Sequence, residues 1–188
     1  MLGAILEYKV IIVVDKKVSK RTAEIYKAHG AEVFIITEPD KNGSFQQARL
    51  DKVQELLQSM PNSYWINQYD NYANNEYHCN TTKLEIMEYD IDALVSPICT
   101  WGHICGIGSK IKNKNSDIKV VGVDVKGSAV LQKEYDPYAI HGVGLEKRAI
   151  NTKLKFLDNI MIIDDFCAIS MLHIIAKTNG IILGGSGA

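Results

Sequence analysis

Apolar residues fall into short β-branched runs separated by stretches with helical spacing. Residues 8–14 form the first run, closed by Asp15, and residues 33–36 the second. Between them Ser19 reads as a helix N-cap, Ala23, Ile25, Tyr26 and Ala28 give a partly apolar face, and Gly30 reads as the stop. After turn chemistry at 38–43, Ser44 opens an amphipathic helix through Phe45, Ala48, Val53, Leu56 and Leu57, ending near Met60-Pro61. Residues 64–66 are expected as a short strand, 67–71 as a polar loop, and about 82–89 as a helix. Residues 91–95 make a buried strand, and Ile104, Ile107 and Ile111 then recur at helical spacing. Strands follow at 119–124 and 160–163, and Asp164 or Asp165 caps a helix to about Lys177. Residues 126–151, with Gly127, Pro137, Gly142 and Gly144, are less periodic and predict a long, lid-like loop. Strands separated by helix-length segments predict an α/β protein with open parallel sheets and flanking helices.

The turn between 96 and 104 is the most informative stretch. A strand, a small-residue turn and a helix start bring backbone N–H groups to one point, where an anion can sit. Gly102 and Gly106 would permit close approach, although glycine there is also common for packing alone.

At 188 residues, 46% hydrophobic and 23% charged, the chain is globular, and a net charge of −1 gives no electrostatic case for nucleic acid or an anionic membrane. No apolar run reaches the roughly 18 residues of a membrane helix, and no signal peptide is evident. Cys79, Cys99, Cys105 and Cys167 lack metal-ligand spacing and read as reduced thiols of a cytoplasmic protein. The chain starts close to its first strand and stops on Gly184-Gly185-Ser186-Gly187-Ala188, a second small-residue turn with no helix after it, which predicts a fragment truncated at both ends.

The order of these pieces resembles the cysteine synthase family of fold type II (β-family) pyridoxal-phosphate enzymes, whose fold is tryptophan synthase β-like. Residues 67–86, from Asn67-Gln68-Tyr69-Asp70-Asn71 to Thr81-Thr82-Lys83-Leu84-Glu85-Ile86, are similar to the family's Q-[FY]-x-N-x-x-N-x-x-x-H-x-x-T-T-G-P-E-I segment. Cys99-Thr100-Trp101-Gly102-His103 falls where the family has its G-T-G-G-T phosphate loop. Ile140-His141-Gly142-Val143-Gly144 resembles Q-G-I-G, and the C-terminal turn resembles G-x-S-S-G-A. Within the family, the wording at 64–69 and 121–128 looks closer to the 2,3-diaminopropionate-pathway branch, similar to the synthase joining O-phosphoserine to glutamate.

The resemblance implies pyridoxal 5′-phosphate as cofactor and an amino-acid substrate such as O-acetyl- or O-phosphoserine, whose β-substituent is replaced. It implies that Cys99, Thr100, Trp101, Gly102 and His103 surround the phosphate, that Ser186 meets the ring nitrogen, that Gln68 lies beside the substrate carboxylate, and that Gly142 lines the rim. It implies lobes over 1–70 (mobile, N-terminal) and 71–188 (cofactor-binding), and a homodimer for the intact form. Cys99 and Trp101 replace glycines of the loop, so Trp101 must point away from a phosphate. The family's Schiff-base lysine and S-G-N-T-G loop have no counterpart here, so no catalytic lysine is named and this chain alone is expected to be inactive. His78 and His141 have ordinary structural readings, and Trp65 and Tyr69 read as packing. Two rival readings are an inactive pseudoenzyme, at most a phosphate- or partner-binding module, and an unrelated nucleotide-binding domain. The latter lacks a G-x-G-x-x-G after its first strand.

Overall fold

The β-branched runs pair as parallel strands in two separate sheets, one in each of two units, Met1–Trp65 and Ile66–Ala188. The computed structural model describes residues 1–132, 134–147 and 155–187. Ala188 and part of the 126–151 loop lie outside the described residues.

The first unit runs α1 (Leu2–Ile5), β1 (Ile11–Asp15), α2 (Lys20–Ala28), β2 (Glu32–Ile36) and α3 (Phe45–Ser59). Strands β1 and β2 pair in parallel from Ile11↔Glu32 to Asp15↔Ile36. Ser19 Oγ accepts from the Thr22 N–H at 3.0 Å and Ser44 Oγ from the Gln47 N–H at 3.1 Å, so each hydroxyl satisfies a donor that its helix leaves open. Asp15, buried at the end of β1, pairs with Arg49 of α3 and ties that helix to the sheet.

The second unit runs α4 (Tyr72–Asn80), α5 (Thr82–Ile86), β3 (Ala93–Pro97), α6 (Gly102–Lys114), β4 (Lys119–Val125), β5 (Asn159–Ile163) and α7 (Asp165–Asn179), then a 3-10 turn at Gly185–Gly187. Its three-stranded parallel sheet has the order β3-β4-β5, with Ser96 opposite Gly122 and Gly122 opposite Ile160. Helix α6 presents Ile104, Ile107 and Ile111 to the interior. Ile104 joins Ile98, Trp101, Cys105, Val120 and Val130 in one cluster, while Ile107 and Ile111 pack with Ile118.

Several sequence expectations need correction. Residues 64–66 form no strand: Tyr64 and Ile66 are exposed and pair with nothing in a sheet. Residues 72–80, which the apolar pattern assigns to no element, are helix α4, which includes His78. Its composition, rich in Asn and Tyr, has weak helix propensity and no apolar stripe. Packing overrides that weakness, because Gly106 leaves room for the Asn75 backbone (a Cβ there would meet the Asn75 carbonyl oxygen at 2.3 Å). The next helix is shorter than expected, Thr82–Ile86. By contacts the two units divide at 65/66, and the 67–71 loop is bonded into the start of α4: Asn71 Nδ2 donates to the Ile66 carbonyl at 2.8 Å and the Asn71 N–H to the Asn67 carbonyl at 2.9 Å.

Candidate functional site

Strand β3 ends at Pro97, and residues 98–101 turn the chain into α6. Trp101 makes that turn in the left-handed region, at φ 67° and ψ −2°, and stands as the N-cap of α6 without a side-chain capping bond. Its indole is fully buried beside Ile98, Ile104, Cys105, Val120 and Val130. The ring therefore lies in the core. The first-turn N–H groups of Gly102, His103 and Ile104 have no acceptor among the described residues. Thr100, Gly102 and Ile104 are buried, so these are donors withdrawn from water at the positive end of a 13-residue helix. Donors in this arrangement favour a negative charge.

The neighbours of the turn are specific. A Cβ on Gly102 would lie 2.1–2.3 Å from the side-chain amide atoms of Asn74, and Asn74 Nδ2 donates to the Gln68 carbonyl at 3.4 Å. The Cys99 thiol donates to the Gly144 carbonyl at 3.4 Å, and the Gly144 N–H to the Ile98 carbonyl at 2.7 Å. Burial pushes that thiol upward, so Cys99 serves as a neutral tether. The half-buried His103 ring stands edge-on to His78, 6.1 Å between centroids. Burial, followed by repulsion from His78, holds His103 below the usual histidine value, against a hydrogen bond with the Pro97 backbone.

Segment 140–145 connects this turn to the C-terminal one. Ser128 Oγ accepts from the Val130 and Leu145 N–H groups, both at 3.2 Å, and fixes the segment beside the end of β4. Gly142, at φ 87°, would place a Cβ 4.0 Å from Ser186 Oγ. A cavity of about 260 Å³ opens between the strand ends and the C-terminal turn, lined by Ser96, Pro97, Asp124, Ile140, Ser186 and Gly187 among others. Burial pushes the Asp124 carboxyl upward, against hydrogen bonds from Ser128 and the Val125 and Leu131 backbone.

Cys99, Thr100, Gly102 and His103 follow the carboxyl end of β3, and Gly142 and Ser186 approach each other by the cavity at the carboxyl ends of the same sheet, where ligands of open α/β sheets bind. None of the four turn residues is among the described residues lining that cavity. Gln68 joins them through its backbone, and Trp101 belongs to the core beneath. Asn74, Ser128 and Gly144 were not singled out from the sequence as site residues. Asn74 lies at the second Asn of the N-x-x-N pattern, which was the available signal; Ser128 and Gly144 matter through contacts with residues distant in the chain.

A model of the pyridoxal-phosphate dependent enzyme family matches residues 1–188. Among solved structures, a hydrogen sulfide-producing enzyme from Fusobacterium nucleatum is similar at TM-score 0.86 and 26% identity, covering 99% of this chain and 63% of that one. The O-acetylserine dependent cystathionine beta-synthase of Helicobacter pylori gives 0.86 and 28%, over 98% of this chain and 60% of its own. Cysteine synthase from Entamoeba histolytica gives 0.86 and 31%, over 98% and 54%. The chain therefore spans between 54% and 63% of the length of these three proteins. With its parallel sheets, flanking helices and whole-length match, it belongs to the pyridoxal-phosphate dependent enzymes, with the fold (type II) of the cysteine synthase-type structures it resembles.

Proposed function

We propose that this chain carries the cofactor-phosphate site of an enzyme that replaces the β-substituent of an activated serine, such as O-acetyl- or O-phosphoserine. The observation that carries the reading is the buried first turn of α6, whose N–H groups have no acceptor among the described residues, while the Trp101 indole is taken into the core. These donors and the Thr100 hydroxyl suit a phosphate. Ser186, a neutral hydroxyl at the cavity edge, suits the ring nitrogen. Pyridoxal phosphate, when bound, supplies an electron sink for charge developing at the substrate α-carbon. The protein's part on this reading is orientation: α6 holds the phosphate, Ser186 the ring, the Gln68 side chain the substrate carboxylate, and Gly142 keeps the rim open. Residues 121–128, which resemble the diaminopropionate branch, have structural work of their own in Asp124 and Ser128, so β-replacement is the level at which the reading stands.

Titrating the chain with pyridoxal phosphate and with pyridoxal tests this, with energy transfer from tryptophan to the pyridine ring as the readout. Charge-assisted bonds of about 1.5–3 kcal/mol predict at least about tenfold tighter binding of the phosphorylated form. Equal affinities would sink the reading. A second reading is favoured by one feature: no lysine is among the described residues lining the cavity. On that reading the chain binds the phosphate without a covalent link. Borohydride reduction separates the two, since a single modified lysine would require the covalent step.

A further inference from the structure

The contact between α4 and α6 has a shape that the fold alone does not demand. Gly102 is the first residue of α6, and the space its side chain would occupy is filled by the amide of Asn74, whose Oδ1, Cγ and Nδ2 all lie within 2.3 Å of the Cβ position. A side chain at 102 would oblige that amide to move. Asn74 is half-buried, and its Nδ2 donates to the backbone carbonyl of Gln68 at 3.4 Å. One side chain thus presses on the residue whose N–H opens the anion-binding turn and holds the segment that carries Gln68. Asn74 also carries no charge that would repel a phosphate.

We propose that Asn74 is a positioning residue: it sets the phosphate-binding turn at Gly102 and ties it to the Gln68 segment, so that the two halves of the site keep a fixed spacing. This rests on the reading of the turn as a phosphate site. A small displacement of either half would cost phosphate affinity while leaving the apolar part of the cavity intact.

The test uses the full chain and four variants, N74A, N74D, G102A and N74A/G102A, each titrated with pyridoxal phosphate and with pyridoxal. Asn74→Ala is expected to weaken the phosphorylated ligand about tenfold and to leave pyridoxal unchanged. Asn74→Asp keeps the shape but sets a carboxylate beside the phosphate, and loses the same preference. Gly102→Ala collides with Asn74. The double variant removes the collision and is expected to bind no worse than N74A, a non-additive result reserved for residues in contact. Equal weakening of both ligands by N74A, or additive losses in the double variant, would overturn the proposal while leaving the phosphate reading standing. If the unmodified chain itself fails to distinguish the two ligands, the phosphate reading falls instead. Amide exchange at Gly102 and His103 in the ligand-free chain then decides the positioning role: faster exchange in N74A supports it, and unchanged exchange overturns it. Should G102A not fold, N74A and the exchange measurement carry the decision.

Discussion

Trp101 reconciles two demands on one residue. The turn into α6 needs a left-handed residue, and the core beneath it needs volume. A non-glycine residue at φ 67° costs on the order of 1–2 kcal/mol, and burying an indole returns more than that. Replacing Trp101 by Ala is expected to cost about 3–5 kcal/mol through the cavity it leaves. Trp101→Gly should be more stable than Trp101→Ala by roughly 1 kcal/mol, the reverse of the usual order for these two residues next to a helix, because glycine relieves the backbone. Denaturant midpoints for the two variants check the order, and an Ala variant as stable as the Gly variant would show that the turn is not strained. The sequence revealed that an indole here had to leave the phosphate face. It could not show where the ring goes, since Val120 and Val130, which receive it, lie well downstream.

At the level of elements, strands and helices with a clear apolar period were legible: the caps at Ser19, Ser44 and Asp164 all accept from the N–H three residues on. Helix α4 was not, because its stability lies in the fit of Asn75 to Gly106 and of Asn74 to Gly102 rather than in its own residues. The candidate site follows the same division. Its glycines and Ser186 could be read from small-residue turns and family wording, whereas Asn74 and Ser128 act through partners distant in sequence. A similar long-range tie joins α6 to the sheet: Lys112 Nζ donates to Asp158 Oδ1 at 2.8 Å, and Asp158 Oδ2 accepts from the Val120 N–H of β4 at 2.7 Å. Lys112 and that N–H hold the Asp158 carboxyl below the ordinary aspartate value. A depressed folded value means that the contribution is complete above the unfolded value of about 3.9 and is lost as pH falls through the folded one. Asp158→Asn is therefore expected to be less stable than the parent at pH 6 and to converge with it below about pH 3. Thermal melts at the two pH values decide this, and a constant difference across the range would remove Asp158 from the acid response.

Over the whole chain, every residue assigned to the candidate site, from Gln68 to Ser186, falls in the second of the two units. The first unit has its own sheet and its own ion pair at Arg49 and Asp15, and contributes none of the donors proposed for the phosphate. Phosphate recognition should then depend on the second unit alone. The join between the units gives a way to ask. Residues 61–64 are exposed, Asn62 has a positive φ of 63°, and Tyr64 is 81% exposed in a segment outside any helix or strand. Such backbone is where proteases enter. Chymotrypsin at low ratio is expected to cut after Tyr64, ahead of tyrosines within helices such as Tyr72 and Tyr77. The larger product should keep its preference for pyridoxal phosphate over pyridoxal, because α4, α6, segment 140–145 and the Gly185–Gly187 turn all remain in one piece. The exposed apolar residues of β5 and α7, including Ile160, Met161, Ile162 and Phe166, belong to that piece and make it the one expected to associate as concentration rises. Ligand titration of the nicked protein at low concentration, with light scattering alongside, separates the two effects. Loss of the preference on cleavage, with scattering unchanged, would show that the first unit supplies part of the phosphate site.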